Sequence, residues 1–176
     1  MTQPEAILLP ESGAIPNNPR LPVLVYAKCF DARGDAAATV ERLFEGNGWP
    51  PQWRDGIFGY HHYHSTAHEA LGIARGSATV ILGGPHGREF DLLAGDVVVL
   101  PAGTGHKRIG GSRDLLVVGA YPPGQTWDLI REEPEKKAAA MRRIAEVPLP
   151  ESDPVLGTAG PLIRIWPTGA EGATAR

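Results

Sequence analysis

The sequence of 176 residues contains one cysteine, Cys29, and no apolar run near the ~18 residues needed to cross a bilayer. A single cysteine permits no internal disulfide, so we expect a reducing, cytoplasmic location. Residues 1–10 also lack the basic-then-apolar order of a signal peptide. The net charge is −3 and there is no basic block, which argues against nucleic acid as a partner.

The composition is that of a globular protein. Apolar residues make up 42% and charged residues 21%, which excludes a disordered or fibrous chain, and the length suits about one domain. Glycine (22) and proline (17) are abundant, and this predicts many tight turns between short strands.

Three segments are predicted: an extended arm at residues 1–20, a strand-rich domain at 21–121, and a helical and irregular extension at 122–176. Short runs of β-branched and apolar residues alternate with turn residues in the middle segment, which indicates an all-β sandwich or barrel. Strands are predicted at residues 21–30, 60–64, 90–93, 97–100, 106–109 and 115–121, with a hairpin at 69–82 that turns at Gly76.

Two helices and one further strand complete the prediction. A helix at residues 35–44 begins at Asp35, which can cap it, and a second helix spans residues 134–147 with Pro134 in its first turn. The segment between residues 48 and 60, rich in Trp, Pro and Gly, is predicted as a loop, and residues 162–166 as an edge strand.

Four of the six histidines lie within eight residues, at His61, His62, His64 and His68. Residues two apart on a strand project from one face, so His62 and His64 can reach the same metal ion. Glu69 opens the next strand and can add a carboxylate, and His106 follows a glycine-rich turn that could bring it to face the pair. Three imidazoles and one carboxylate leave about two positions open on a six-coordinate ion, as a catalytic site requires.

Spacing alone leaves a second interpretation open, in which these are separate surface or hydrogen-bonded histidines. We assign His61 and His86 to that class. His68 adjoins Glu69 and can be a ligand, orient another ligand or face solvent.

The same residues resemble the first motif of the cupin superfamily. That motif runs Gly, five residues, His-x-His, three or four residues, Glu, six residues, Gly. The chain has this order at Gly56, His62, His64, Glu69 and Gly76.

The second cupin motif runs Gly, five residues, Pro-x-Gly, two residues, His, three residues, Asn. It is matched by Gly95, Pro101, Gly103 and His106, with Gly110 in place of the asparagine. The segments HHYHSTAHEALGIARG and AGDVVVLPAGTGHK are also similar to a bacterial single-domain subgroup, the YjlB-type cupins.

The resemblance implies a jelly-roll, RmlC-like β-barrel and makes a homodimer the expected assembly. With the two helices predicted from the sequence pattern, the expected fold is all-β with one N-terminal and one C-terminal helix. It also implies one divalent transition metal (Fe, Mn, Ni, Zn or Cu), with His62, His64, Glu69 and His106 as ligands. Glu69 is in addition the candidate catalytic base if it detaches from the ion.

Three more residues are candidates for contact with a small organic ligand. The indole of Trp53 precedes the first motif strand and could form a wall of the site. Arg108 shares strand parity with His106 and could hold an anionic group, and Tyr121 could place a hydroxyl at the rim. Core packing for the two aromatic residues, and solvent exposure for Arg108, remain alternatives.

Two functional classes follow from these expectations. One is an enzyme, either a dioxygenase with Fe(II) or an isomerase or hydrolase with an ion that polarises a carbonyl. The other is a non-catalytic cupin that binds a small ligand or uses its metal for stability. Residues 1–20 cannot form a helix-turn-helix, which disfavours a cupin-linked transcription factor.

Overall fold

Antiparallel strands dominate the computed structural model, which describes residues 3–166. The strands are β1 (Glu5–Ile7), β2 (Val23–Tyr26), β3 (Pro51–Asp55), β4 (Glu69–Arg75), β5 (Ser77–Leu82), β6 (Arg88–Leu93), β7 (Val97–Leu100), β8 (His106–Gly111) and β9 (Leu116–Ala120). The helices are α1 (Ala36–Gly46), α2 (Pro134–Glu146) and α3 (Pro161–Ile165). One sheet has the strand order β1-β2-β7-β4-β9-β3 and the other β6-β5-β8.

The two sheets face each other across an apolar core. On β5 the side chains alternate, and Ala78, Val80 and Leu82 point inward. They pack against side chains from the larger sheet, among them Leu71 and Val98. Alternation of this kind is expected for a sheet with one face toward a core and the other toward solvent.

The larger sheet is covered on its second face as well. Val40 and Phe44 of α1 pack on this face, and a Cβ placed on Gly72 of β4 would lie 2.5 Å from the Val40 side chain. Because both faces are buried, β7 and the central residues 70–74 of β4 are continuously apolar and not alternating. Asp35 caps α1 by accepting a hydrogen bond from the Ala38 amide, as predicted.

The segment predicted as an extended arm is bonded to the sheets along much of its length. β1 pairs with β2, and Ile15 is fully buried. Asn17 is also buried: its side-chain amide donates to the carbonyls of Pro10 and Gly83 and accepts from the Gly105 amide. The arm therefore supports the turn immediately before His106.

Several strand predictions are corrected by the structure. Residues 60–64 do not form a strand, because His62 and Tyr63 make single bridges to His106 and Ile130. Residues 69–82 do not form a hairpin, because β4 and β5 belong to different sheets, although Gly76 does make the turn with a φ of +74°.

Two further predictions fail near the helices. The predicted loop at residues 48–60 contains the strand β3. Residues 162–165 lie in the helix α3 and Trp166 follows it, so this segment does not form the predicted edge strand. Trp166 is 2% exposed and is part of the core cluster next to α1. The last ten residues of the predicted extension lie outside the described residues.

Strand pairing within residues 3–166 does not close into a barrel. Ladders of hydrogen-bonded strands join members of each sheet but do not join the two sheets, so the architecture is a mostly antiparallel β-sandwich. None of the helices in this part of the chain has the length and apolar character of a membrane span.

Replacement of Asn17 tests whether the arm stabilises the fold. Asn17 has a φ of +51°, so Asn17→Gly removes its three hydrogen bonds without backbone strain. We expect this variant to lower the free energy of unfolding by about 2 kcal/mol, since buried partners lose their hydrogen bonds. Asn17→Ala should lose about 1 kcal/mol more, because alanine is strained at positive φ.

Urea unfolding measures both changes. Gln52→Ala, at an exposed position of β3, is the control and should stay within about 0.5 kcal/mol of the unaltered protein. Equal stability of Asn17→Gly and the unaltered protein would show that the arm does not depend on this side chain.

Candidate metal site

Three buried histidines converge between the sheets. His62, His64 and His106 are each between 3% and 6% exposed, and a ring nitrogen from each lies within 4.8 Å of the others. His106 opens β8, and its backbone exchanges hydrogen bonds with that of His62. This pairing brings two ligands that are 44 positions apart in the sequence to a ring separation of 4.0 Å.

Backbone carbonyls fix the orientation of all three rings. His62 Nδ1 lies 3.0 Å from the backbone carbonyl oxygen of Tyr60, and His106 Nδ1 lies 3.0 Å from that of Thr104. His64 Nδ1 contacts the backbone carbonyl oxygen of Asp128. A carbonyl can only accept a hydrogen bond, so each Nδ1 carries the hydrogen. In the neutral rings Nε2 then keeps a free lone pair, which is the form that binds a metal.

Glu69, the first residue of β4, lies beside two of these rings. Its Oε2 atom is 3.3 Å from Nε2 of His64 and 3.3 Å from Nε2 of His106. The residue is 2% exposed, and Oε2 has no hydrogen-bond partner among the described residues. A buried carboxylate oxygen without a donor, next to imidazole lone pairs, fits a bound cation.

The charges of these groups influence one another. Burial lowers the pKa of His62 to about 3, so that ring is neutral near pH 7. Burial, the largest influence, lowers the pKa of His64, but the charge and hydrogen bond of Glu69 and the contacts with Asp128 together raise that pKa above its ordinary value. Burial raises the pKa of Glu69, whereas the charges of His64 and His106 hold it well below its usual range. A positive charge therefore belongs beside Glu69, either as a proton or as a metal ion.

The other Glu69 oxygen is held by a chain of two hydrogen bonds. Tyr121 donates its hydroxyl hydrogen to Oε1 at 2.8 Å, and the Trp53 indole N–H donates to the Tyr121 oxygen at 2.8 Å. Trp53 on β3 stands opposite Gly119 on β9, where a Cβ would lie 2.0 Å from the indole. The absence of a side chain at Gly119 therefore gives Trp53 its place in the cavity wall.

A cavity of about 250 Å³ contains the cluster. Its lining combines the metal-site residues with a mainly apolar wall: Trp53, Asp55, Gly56, Ile57, Phe58, His62, His64, Glu69, Leu71, His106, Tyr121, Trp127 and Leu129. Trp53 and Tyr121, both predicted to contact a ligand, are among these residues.

Arg108 lies away from this wall. Its guanidinium donates to the carbonyls of Gly110 and Ser112, at the end of its own strand, and it is not one of the lining residues. The register with β5 is regular from His106 to Arg108, and the bulge lies beyond Arg108, so the two residues do share strand parity. The guanidinium is instead held by the carbonyls at the end of its own strand. The position does not match a role in holding an anionic group inside the cavity.

His61 and His68 are outside the cluster as well. His68 is fully buried, accepts from the Ala102 amide, donates to the Pro148 carbonyl and packs on Trp166. Burial lowers its pKa to about 4, so it is a neutral structural residue near pH 7. His61 is buried but is not grouped with the three converging rings.

The segment after β9 also supports the site, and no pattern in the sequence predicted this. The Asp128 carbonyl orients His64, its carboxylate binds the backbone and hydroxyl of Ser65, and the neighbouring Trp127 and Leu129 line the cavity. The alternation of two apolar residues around an aspartate was a weak signal, because the important group at Asp128 is a backbone carbonyl that every residue type has.

Tyr121→Phe tests whether the hydrogen-bonded chain positions Glu69. The variant removes the donor to Oε1 and should weaken Zn²⁺ binding about 10-fold, because the carboxylate is then free to rotate. Competition with a chromogenic chelator measures this affinity.

Tyr26→Phe is the matched control, since it removes a buried hydroxyl that donates to Asp153, away from the Trp53–Tyr121–Glu69 chain and the cavity. Its Zn²⁺ affinity should not change. Equal affinities for the two variants would contradict a positioning role for Tyr121.

Comparison with known proteins places the chain among its relatives. No family model matches the sequence. A structural comparison finds a single-residue mutant of Bacillus subtilis oxalate decarboxylase OxdC, with 19% identity and a TM-score of 0.35, covering 62% of this chain and 27% of that one. The sequence is 38% identical over 162 residues to the uncharacterized protein YjlB of Bacillus subtilis strain 168, covering 92% of this chain and 96% of that protein. The chain therefore belongs to the family of Bacillus subtilis YjlB.

Proposed function

We propose that this chain is a metal-binding cupin enzyme that acts on a small organic molecule. Its site consists of His62, His64, Glu69 and His106, with one divalent transition metal as the cofactor. Glu69 is proposed both as a ligand and, when detached from the ion, as a general base. The proposal includes a cytoplasmic location and a homodimer, which are expectations from the sequence.

The orientation of the imidazoles is the observation that supports the proposal most strongly. Three Nδ1–H groups are directed at backbone carbonyls, which leaves three Nε2 lone pairs around one volume. A histidine that serves only to fill a core needs no such convergence; His68, for example, uses both ring nitrogens in hydrogen bonds. The donor set of imidazole and carboxylate suits Fe, Mn, Ni, Cu or Zn.

The protein groups have separate tasks in this proposal. His62, His64 and His106 hold the cofactor, and Tyr121 keeps Glu69 directed at it through Oε1. A bound ion of this class supplies Lewis-acid activation of a substrate oxygen or, if it is redox-active, one-electron chemistry with O₂. The apolar side chains of Leu71 and Trp127 in the wall give an organic substrate a surface to pack against.

A non-catalytic protein that binds the same small ligand is the alternative. It is supported by the full engagement of Glu69, whose Oε1 is held by Tyr121 and whose Oε2 faces two imidazoles. A metal that only stabilises the fold is less well supported, because the site adjoins a cavity of about 250 Å³ whose wall includes partly exposed side chains.

Metal content tests the ligand assignment. Protein reconstituted with Zn²⁺ and desalted should carry close to one ion per chain by elemental analysis, and its melting temperature should rise with metal concentration. The double variant His62→Ala/His106→Ala should lose both the ion and the thermal shift.

His86→Ala is the control, since His86 is exposed and lies outside the cluster. It should retain the metal and the thermal shift. Unchanged metal content in the double variant would contradict the assignment.

Turnover tests catalysis itself. Oxygen uptake by the Fe(II)-loaded protein with diketones, thiols and sugar acids should identify a substrate. Glu69→Gln should then lower kcat by about 100-fold or more, because the amide cannot accept a proton. Glu41→Gln, on the outer side of α1, should leave kcat unchanged. Tight ligand binding without turnover, across metals and substrates, would favour the non-catalytic alternative.

A further inference from the structure

Charge is distributed unevenly around the cavity. Its ionisable lining residues other than histidine and tyrosine are Asp55 and Glu69, both acidic. Within residues 3–166 no lysine or arginine lines it. An anionic group of a ligand therefore has the metal as its counter-charge and has no guanidinium or ammonium to bind elsewhere in the wall.

The guanidinium of Arg131 is engaged outside the wall. The Arg131 guanidinium lies 3.6 Å from the centre of the Tyr60 ring, and Tyr60 stacks on Phe58 with a ring separation of 4.9 Å. Phe58 lines the cavity, whereas Tyr60 and Arg131 do not. The Arg131 guanidinium therefore helps to hold the stacked rings of Tyr60 and Phe58 in place.

Large apolar side chains are exposed at the same cavity. Phe58 is 50%, Trp127 44% and Leu129 37% exposed, and all three are lining residues. Scattered exposed apolar side chains need no explanation, but a group around one opening indicates a binding surface.

The apolar surface is continuous with the metal site. The Trp127 ring lies 5.6 Å from that of His64 and stacks on Tyr121 at 6.2 Å with an interplanar angle of 23°. A ligand held at the histidines by one end would therefore place its other end against Trp127. The position of this indole is coupled to the ligand set, because the next residue, Asp128, orients His64.

We propose that the cavity selects a molecule with one metal-binding oxygen group and an uncharged, apolar or aromatic body that lies against Phe58, Trp127 and Leu129. Compounds with a second anionic group too far from the first to reach the same ion, such as long dicarboxylates and phosphorylated molecules, are disfavoured, because that group finds no lysine or arginine in the wall. This inference rests on the proposed function, since it assumes the metal. It narrows the substrate to compounds such as aryl or branched-alkyl diketones and hydroxy-ketones.

Hydroxamates with a shared chelating group test the inference. Zinc-loaded protein, with its metal content measured first, is titrated calorimetrically with acetohydroxamate, benzohydroxamate and 4-carboxybenzohydroxamate. Benzohydroxamate should bind about 10-fold or more tightly than acetohydroxamate, because its ring is buried against apolar side chains. The 4-carboxy compound should bind about 10-fold more weakly than benzohydroxamate, because its carboxylate finds no cation in the wall and shares the cavity with the Asp55 carboxylate.

Single substitutions identify the side chains that cause the preference for benzohydroxamate over acetohydroxamate. Phe58→Ala and Trp127→Ala should each remove most of the advantage of benzohydroxamate while acetohydroxamate affinity and zinc content stay within about 2-fold. Met141→Ala removes an exposed apolar side chain on α2, away from the cavity, and should change none of these values.

The possible failures are distinguishable. Protein that retains no zinc overturns the proposed function and this inference together. Zinc-loaded protein that binds the 4-carboxy compound as tightly as benzohydroxamate overturns this inference alone. Trp127→Ala that changes the sedimentation coefficient but not the affinities would assign the surface to a contact between two copies, and would also overturn it.

Discussion

A carboxylate removed from water must be neutralised, and the site is built around this requirement at Glu69. Oε1 is satisfied by Tyr121, whereas Oε2 faces the Nε2 atoms of His64 and His106 without a donor. Leaving such a group unpaired would destabilise the fold by several kcal/mol, of order the whole net stability of a small domain. A positive charge among these atoms, either a proton on an imidazole or a bound metal ion, removes this cost.

The cluster depends on distant parts of the chain. Asn17 holds the turn before His106 through Gly105, and Asp128 orients His64 from the opposite side. The segments on either side of the strand-rich region are therefore part of the site's support. A metal site with rigid, hydrogen-bonded ligands needs little rearrangement when the ion binds.

Local signals predicted much of this structure, and long-range pairing accounts for the failures. The turn at Gly76 and the bounds of β7 followed from glycine and proline, and the spacing of the two motifs selected the three histidines that converge. The prediction of a hairpin at residues 69–82 was wrong because apolar strand sequences do not indicate which sheet each strand joins. Asp128 was missed because a backbone carbonyl leaves no trace in residue type.

Anomalous diffraction from crystals of the zinc-loaded protein at the zinc absorption edge would test the central claim most directly. The account predicts one strong peak per chain at roughly 2.0–2.2 Å from Nε2 of His62, His64 and His106 and from Oε2 of Glu69. A peak bound through Nδ1 atoms, a peak elsewhere on the chain, or no peak beside Glu69 would contradict it.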